Sequence, residues 1–182
     1  MSERPLLPGE FAVLGLLAVQ PMHGYEMARK LVLDGLDAVV PIEQSLLYTY
    51  IRNVEGRGLV SWLEDRVGLR PPRKHYHLTD VGQETLDAWL DEPVLRMRET
   101  RLDLLLKLYF LERLDPGRRE QLVGRQISVC EAYRERLQRA EDRAEGFARL
   151  VAGSKRSAAE ATLTWLREAA QASAVRAEEA RT

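Results

Sequence analysis

The sequence predicts a mainly α-helical chain carrying one small β-wing, and three observations lead there. Apolar residues recur at i, i+3 and i+4 through most of the 182 residues. Two short strand-like runs, Leu59–Leu63 and Arg73–Leu78, flank a proline-kinked turn at Gly68-Leu69-Arg70-Pro71-Pro72. From Met97 to Glu179 nothing in the pattern signals a strand.

The first helix is expected from Pro8 to about Val19. Proline fits the first helical turn, where its missing N–H is no loss, and Phe11, Leu14, Leu17 and Ala18 form the apolar stripe. Gln20-Pro21-Met22-His23-Gly24 reads as a break. Tyr25, Met27, Ala28, Leu31 and Val32 then mark a short amphipathic helix that ends at Asp34-Gly35-Leu36.

A third helix spans Ser45 to Glu55. Leu47, Ile51 and Val54 recur on its buried side, while Ser45, Tyr48, Thr49 and Arg52 recur at i, i+3, i+4 and i+7 on the opposite face. Gly56-Arg57-Gly58 stops it, because a glycine just past the last turn takes the left-handed conformation cheaply. Hydroxyls and a guanidinium on one outward face suit base edges and phosphates. Three helices with short breaks followed by strand, basic turn and strand form a winged helix-turn-helix pattern. Thr79 is the expected N-cap of a fourth helix, Asp80 to Asp91, burying Val81, Leu86, Trp89 and Leu90. Pro93 follows it, giving a boundary between residues 1–92, the DNA-binding domain, and 93–182, a helical dimerisation and effector domain.

In the second half, Leu102 to Leu111 is apolar nearly all round, as in a helix buried on several sides. Asp115-Pro116 opens the next helix, expected to run to about Ala152. Its apolar residues Cys130, Tyr133, Leu137, Ala140, Ala144, Phe147 and Val151 alternate at spacings of three and four, a heptad seam. The seam fits either a helix of the same subunit or a dimer interface. Cys130, Leu137, Ala140, Ala144 and Val151 are the interface candidates. Gly153 reads as the end of that helix, and Ser157-Ala158-Ala159-Glu160 as a capping box for the last one. Trp62, Trp89 and Trp165 are expected in the core. Tyr133, Phe147 and Trp165 are also the candidates for an effector pocket.

Composition sets the remaining bounds. The chain is 45% apolar and 30% charged, with a net charge of −1, an ordinary globular balance. Residues 1–90 hold 9 Lys/Arg and 12 Asp/Glu, a net −3, yet Arg66, Arg70, Arg73 and Lys74 gather between residues 66 and 77 without an acid. The basic charge is local, so modest DNA affinity per subunit and a need for two subunits are expected. No segment has the length and hydrophobicity of a membrane span. No signal-peptide pattern opens the chain, so a cytoplasmic location is expected. A single cysteine gives neither a disulfide framework nor a metal-site pattern, and His75 and His77, alternating on one strand, lack a nearby ligand cluster. No Gly-rich phosphate loop, Gly-x-Ser-x-Gly elbow or His-Glu-x-x-His is present. The expectation is no catalysis, no cofactor and no metal, with double-stranded DNA as partner. The alternative is a helical adaptor whose winged helix binds protein.

An ordered set of short motifs adds to this reading. Leu14-Gly15-Leu16-Leu17, Pro21-Met22-His23-Gly24-Tyr25-Glu26, Ser45-Leu46-Leu47-Tyr48, Val54-Glu55-Gly56-Arg57-Gly58-Leu59-Val60 and Pro71-Pro72-Arg73-Lys74-His75-Tyr76-His77-Leu78-Thr79 follow one another over residues 8–92. In this the chain resembles the PadR family of bacterial transcriptional regulators. Its second half, with Asp103-Leu104-Leu105-Leu106-Lys107-Leu108, is similar to the long C-terminal domain of one subgroup. The resemblance implies a homodimeric repressor released from its operator by a small molecule or another signal. It implies that the Tyr48 helix enters the major groove, that the wing near Arg73 and Lys74 touches the minor groove or backbone, and that the C-terminal helices build the dimer. The candidate DNA contacts are Ser45, Tyr48, Thr49, Arg52, Arg70, Arg73, Lys74 and His75. Pro41-Ile42-Glu43-Gln44 departs from the family pattern and puts an acid near the start of the Tyr48 helix.

Overall fold

The computed structural model describes residues 4–65 and 73–179. Arg70 and the turn around it lie outside the described residues. The chain forms two units. One runs to Glu92 and takes in Thr100–Pro116; the other joins Pro93–Glu99 to the residues from Gly117 onward. Residues 100–116, counted with the C-terminal half on sequence, therefore pack in the first unit.

Helix α1 (Pro8–Val19) is the centre of the first unit, with Ala12, Val13, Leu14 and Leu16 fully buried. It is apolar nearly all round, so it must be enclosed on several sides; α3, α4, α5 and β3 enclose it. Helix α2 (Gly24–Leu33) and α3 (Gln44–Gly56) follow, joined by a single 3₁₀ turn, Leu36–Ala38. On α2 only Met27 and Leu31 face inward; Tyr25 and Val32, expected on the apolar side, are exposed. The end of α3 is as the glycines predict. Gly58 has φ 70°, and its N–H and that of Leu59 close the last turn onto Glu55 and Val54.

Strands β2 (Val60–Asp65) and β3 (Arg73–Leu78) pair antiparallel with Val60 opposite Leu78 and Glu64 opposite Lys74. A third strand, β1 (Met22–His23), pairs with the other edge of β3, so the order is β1-β3-β2. The stretch that reads as a simple break thus ties the start of α2 to the wing. Helix α4 (Asp80–Asp91) starts at Thr79, whose Oγ1 accepts the Gly82 N–H at 3.1 Å and donates to the Gly58 carbonyl at 2.7 Å. Leu86 and Leu90 are buried as expected, but Val81 is exposed, because in the first turn it is Gly82 that faces inward.

A turn of π-helix (Thr100–Leu104) leads into α5 (Leu105–Leu114), whose Leu106, Phe110 and Leu111 are fully buried. The Phe110 ring lies so close to Gly15 that a Cβ there would come within 2.5 Å of it. Lys107 is enclosed with these apolar residues. Its Nζ donates to the Glu92 carbonyl at 2.5 Å and sits 4.9 Å from the centre of the Trp89 ring, which stacks on Phe11 at 4.3 Å. Burial pushes the Lys107 ammonium down to about 8, against the pull of the Asp103, Glu92 and Asp91 carboxylates. Tyr109 donates to Asp34, tying α5 to α2.

The second unit is an antiparallel pair, α6 (Pro116–Arg143) and α7 (Gly146–Glu179). Arg156 reaches Glu141 at 2.7 Å and Arg167 reaches Glu131 at 2.6 Å, which sets the direction and level of the two helices. The helix expected to reach Ala152 instead stops at Arg143. Gly146 takes φ 54°, and the chain reverses there. Gly153 does not end a helix; it sits inside α7, where a Cβ would meet a Glu141 carboxylate oxygen at 2.9 Å. Ser157 lies inside α7 too, so Ser157–Glu160 is not a capping box. Gln126, fully buried, accepts the Val94 N–H at 2.7 Å and donates to the Val94 carbonyl at 2.8 Å, as a neighbouring strand would.

Two measurements test this packing. Gly82→Ala would place a Cβ 2.0 Å from the Leu59 carbonyl oxygen, which is backbone and cannot swing aside; a loss of about 1–3 kcal/mol is expected by denaturant titration. For Lys107, the native state releases its proton more readily than the unfolded chain does. Wild-type stability relative to Lys107→Met should therefore be flat below pH 8 and rise above it, by at most about 1.4 kcal/mol per pH unit. A flat difference across that window would show that the ammonium is hydrated.

Candidate nucleic-acid interface

The outward face of α3 is built from its buried one. Leu47, Ile51 and Val54 seat the helix in the first unit, leaving Ser45, Tyr48, Thr49 and Arg52 outward. The Tyr48 ring rests on Gly24 at the start of α2; a Cβ on Gly24 would come within 2.8 Å of it. Glycine at that position is therefore a seat for the tyrosine. Thr49 Oγ1 donates to the Ser45 carbonyl at 3.1 Å, and the Arg52 guanidinium donates to Thr49 Oγ1 at 3.1 Å. The guanidinium of Arg52 is thus steered along the helix face and does not pair with Glu55.

A buried carboxylate holds α3 against α1. Glu10 is wholly shielded from water, yet accepts from Arg4, from the Leu7 N–H at 2.8 Å and from Asn53 of α3 at 2.9 Å. Burial alone would push its carboxyl up; the three donors outweigh that and hold it below the usual range.

The wing strands bring a second set of side chains beside α3. Arg73 is exposed, with its guanidinium 5.4 Å from the centre of the exposed Tyr25 ring. His23 stacks on Tyr25 at 5.6 Å and meets His75 edge-on at 4.9 Å. His23 Nδ1 lies 3.0 Å from the Lys74 carbonyl, and its Nε2 lies 3.4 Å from Asp65. His23, the N-cap of α2, is thereby a bridge between α2 and the wing. His77 pairs with Ser61 at 2.8 Å. Lys74, by contrast, is engaged. Its Nζ is 3.0 Å from Glu55 Oε1 and 4.2 Å from the centre of the Trp62 ring, and Trp62 Nε1 donates to the same oxygen at 2.7 Å. Trp62 stands on the surface, not in the core. Among the described residues no group of three His, Cys, Asp or Glu comes together that could hold a metal ion, and no helix is long and apolar enough to cross a membrane.

The structure thus brings Ser45, Tyr48, Thr49, Arg52, Arg73 and Lys74 to the α3–wing region, with His75 turned toward His23. Gly24, Tyr25, Glu55 and Trp62 belong to the same region and were not singled out on sequence. Neither Tyr25 nor Glu55 could have been found there, because their partners are set by the pairing and register of the strands.

The second-half candidates fare differently. Cys130 is fully buried, its thiol 3.6 Å from Gln126 Nε2 and 3.7 Å from Met97 Sδ. Leu137 is buried as well, so neither has surface to offer another chain. Ala140 is exposed, and Ala144 and Val151 are half-buried. Tyr133 and Trp165 lie at the same level of the α6–α7 pair, as the Glu131–Arg167 bridge implies, but Phe147 is 18 residues before Trp165 on one helix, about 27 Å away. The three do not line one pocket, and Phe147 is 78% exposed.

A three-helix core whose third helix presents a polar face beside a two-stranded wing defines a winged helix-turn-helix domain. Comparison with known proteins then points to a family. Residues 13–88 match the Transcriptional regulator PadR-like family and residues 100–173 match the Virulence activator alpha C-term family. Residues 13–88 are thus similar to the PadR-like family of transcriptional regulators. The chain is 24% identical over 129 residues to the negative transcriptional regulator PadR of Bacillus subtilis, covering 71% of this chain and 70% of that one. Among solved structures, Bacillus subtilis PadR in complex with operator DNA is 21% identical over 92% of this chain and 99% of that one, with a TM-score of 0.48. The PadR-like regulator of Bacillus cereus is 23% identical over 95% and 99%, with a TM-score of 0.41.

The Glu10 cluster yields a pH prediction. A carboxyl held low in the native state stabilises it above the unfolded carboxylate range, and that stability is lost as pH falls through the native value. Glu10→Gln should cost about 1–3 kcal/mol at pH 7, and the gap to wild type should shrink steadily below about pH 4. A pH-independent gap in denaturant titrations would mean that Glu10 acts through packing alone.

Proposed function

We propose that the chain binds double-stranded DNA through α3 and the wing, as a homodimer, and represses transcription until a small molecule or another signal releases it. The observation that carries this is the seating of Tyr48 on Gly24 beside the Arg73–Tyr25 pair. It places an aromatic hydroxyl, the Thr49 and Ser45 hydroxyls and two guanidiniums on one outward surface, the chemistry that meets phosphates and base edges. In this reading α3 enters the major groove, and Arg73 and Lys74 touch the backbone. The relatives support it: the curated one is named a negative regulator, and PadR of Bacillus subtilis is described in complex with operator DNA and with p-coumaric acid.

The dimer is the natural complement of two operator half-sites. On the second unit, Phe147 and Leu150 are exposed apolar side chains next to Val151, and they are where a second chain would bury surface. Ala140 and Ala144 would allow close approach there. An effector would meet Tyr133 and Trp165, the two aromatics at one level of the helix pair. Residues 1–92 carry the DNA face in this scheme and residues 93–182 the dimer and effector surfaces.

The test is retention of genomic fragments by the purified protein at low and at about 150 mM salt, with sequencing of what is kept. An enriched inverted repeat is expected. Gly24→Ala should leave the melting temperature close to wild type, since a tyrosine ring can move aside, yet lower operator affinity by displacing Tyr48. Arg73→Gln should flatten the salt slope by about 0.9 per subunit. Absence of enrichment at both salts would turn the assignment to a protein-binding winged helix.

A further inference from the structure

Lys74 reaches from the wing to the end of α3, where the structure gives it an internal partner. Glu55 lies in the last turn of α3, where no basic residue offsets the helix dipole. A carboxylate is disfavoured there, because the C-terminal end of a helix carries partial negative charge. Its local cost is offset by two donors on one oxygen: Lys74 Nζ at 3.0 Å and Trp62 Nε1 at 2.7 Å. The donors come from different strands. Trp62 stands opposite Tyr76 and Lys74 opposite Glu64, so Trp62 and Lys74 are diagonal neighbours on one face of the hairpin. The ammonium also lies 4.2 Å over the indole centre.

We propose that Glu55 is a specificity-determining residue, an internal counter-anion that Lys74 exchanges for a DNA phosphate on binding. The proposal rests on the DNA-binding reading above. The indole is what makes the exchange feasible. When Lys74 leaves, the Trp62 N–H still caps the Glu55 carboxylate, so no bare anion remains at the end of α3. The indole N–H is a donor only, and the Glu55 carboxylate satisfies it whether or not Lys74 is present. Glu55 therefore stays in place in both states and sets a threshold: Lys74 moves only where a phosphate is presented in better geometry than the carboxylate. A loosely docked, non-cognate duplex does not meet that condition, whereas a duplex held in register by α3 does. Glu55 thus lowers non-specific affinity more than operator affinity.

The experiment is a double-mutant cycle on the full chain. Wild type, Glu55→Gln, Lys74→Gln and the double variant are titrated with a mixed-sequence duplex of about 30 base pairs, long enough for two half-sites, across a range of salt. Glu84→Gln, an exposed acid on α4, controls for net charge. Glutamine keeps an acceptor for Trp62, and unfolding curves confirm that each variant is folded. Glu55→Gln should bind the duplex about twofold to fivefold more tightly at low salt. Its salt slope should steepen by up to about 0.9 per subunit, because Lys74 then releases a phosphate counterion without surrendering a partner. Both gains should vanish in the Lys74→Gln background and be absent from Glu84→Gln. Equal gains with and without Lys74 would overturn the proposal, showing simple repulsion between Glu55 and phosphate. No gain, while wild type binds, would overturn it as well. If no protein binds the duplex at any salt, the DNA-binding reading itself fails and takes the exchange with it.

Discussion

The position of α3 depends on a carboxylate that water does not reach. Glu10 belongs to the first turn of α1, and it satisfies the Leu7 N–H that an isolated helix would leave open. The same group accepts from Asn53, one turn before the end of α3. A local capping contact and a contact across 43 residues are thus made by one side chain. A buried anion is tolerated only when its oxygens are satisfied, so Arg4, Leu7 and Asn53 act as a set. Losing one leaves the others facing an underpaired charge. This couples the ordering of the N-terminal segment to the orientation of the helix that bears Tyr48 and Arg52.

Local signals carried most of the first unit. Thr79 caps α4, Gly58 takes the left-handed conformation after α3, and the i, i+3, i+4, i+7 face of α3 turns outward, all from features within a few residues of one another. β1 was not legible because it is two residues long and exists only through its pairing with β3, more than 50 residues away. Lys107 was hidden by its leucines; what holds it is the carbonyl at the end of α4 and the Trp89 ring, which no periodicity records.

The second unit shows why a heptad pattern is a weak guide to helix length. The three-four spacing from Cys130 continues through Ala144 and Phe147, yet the helix ends at Arg143 because Gly146 allows the chain to reverse. Spacing reports which residues would share a face if a helix continued, not whether it does. Gly153 and Ser157 misled in the opposite sense. Gly153 lies where the Glu141 carboxylate approaches α7, not at a helix end. The seam is in part satisfied inside the chain: Cys130 and Leu137 of α6, like Ala152, Ala159, Leu163 and Leu166 of α7, are buried in a single chain.

Among the described residues, Arg52, Arg73 and Lys74 share a further property: each already has a partner. Arg52 is steered by Thr49, Arg73 lies over Tyr25, and Lys74 sits between Glu55 and Trp62. Long basic side chains carry up to about 2 kcal/mol of rotamer entropy, so holding them near a working geometry reduces what is lost on binding. The same partners must be exchanged or shared when a phosphate arrives, so each contact gains less than a free cation would. With a net charge of −3 over residues 1–90, general attraction to DNA is weak as well. A surface of this kind gives little affinity to a single, poorly fitted encounter. In the proposed reading, useful affinity would need several contacts formed in register on two subunits at once, which is the physical argument for proposing a dimer on two half-sites.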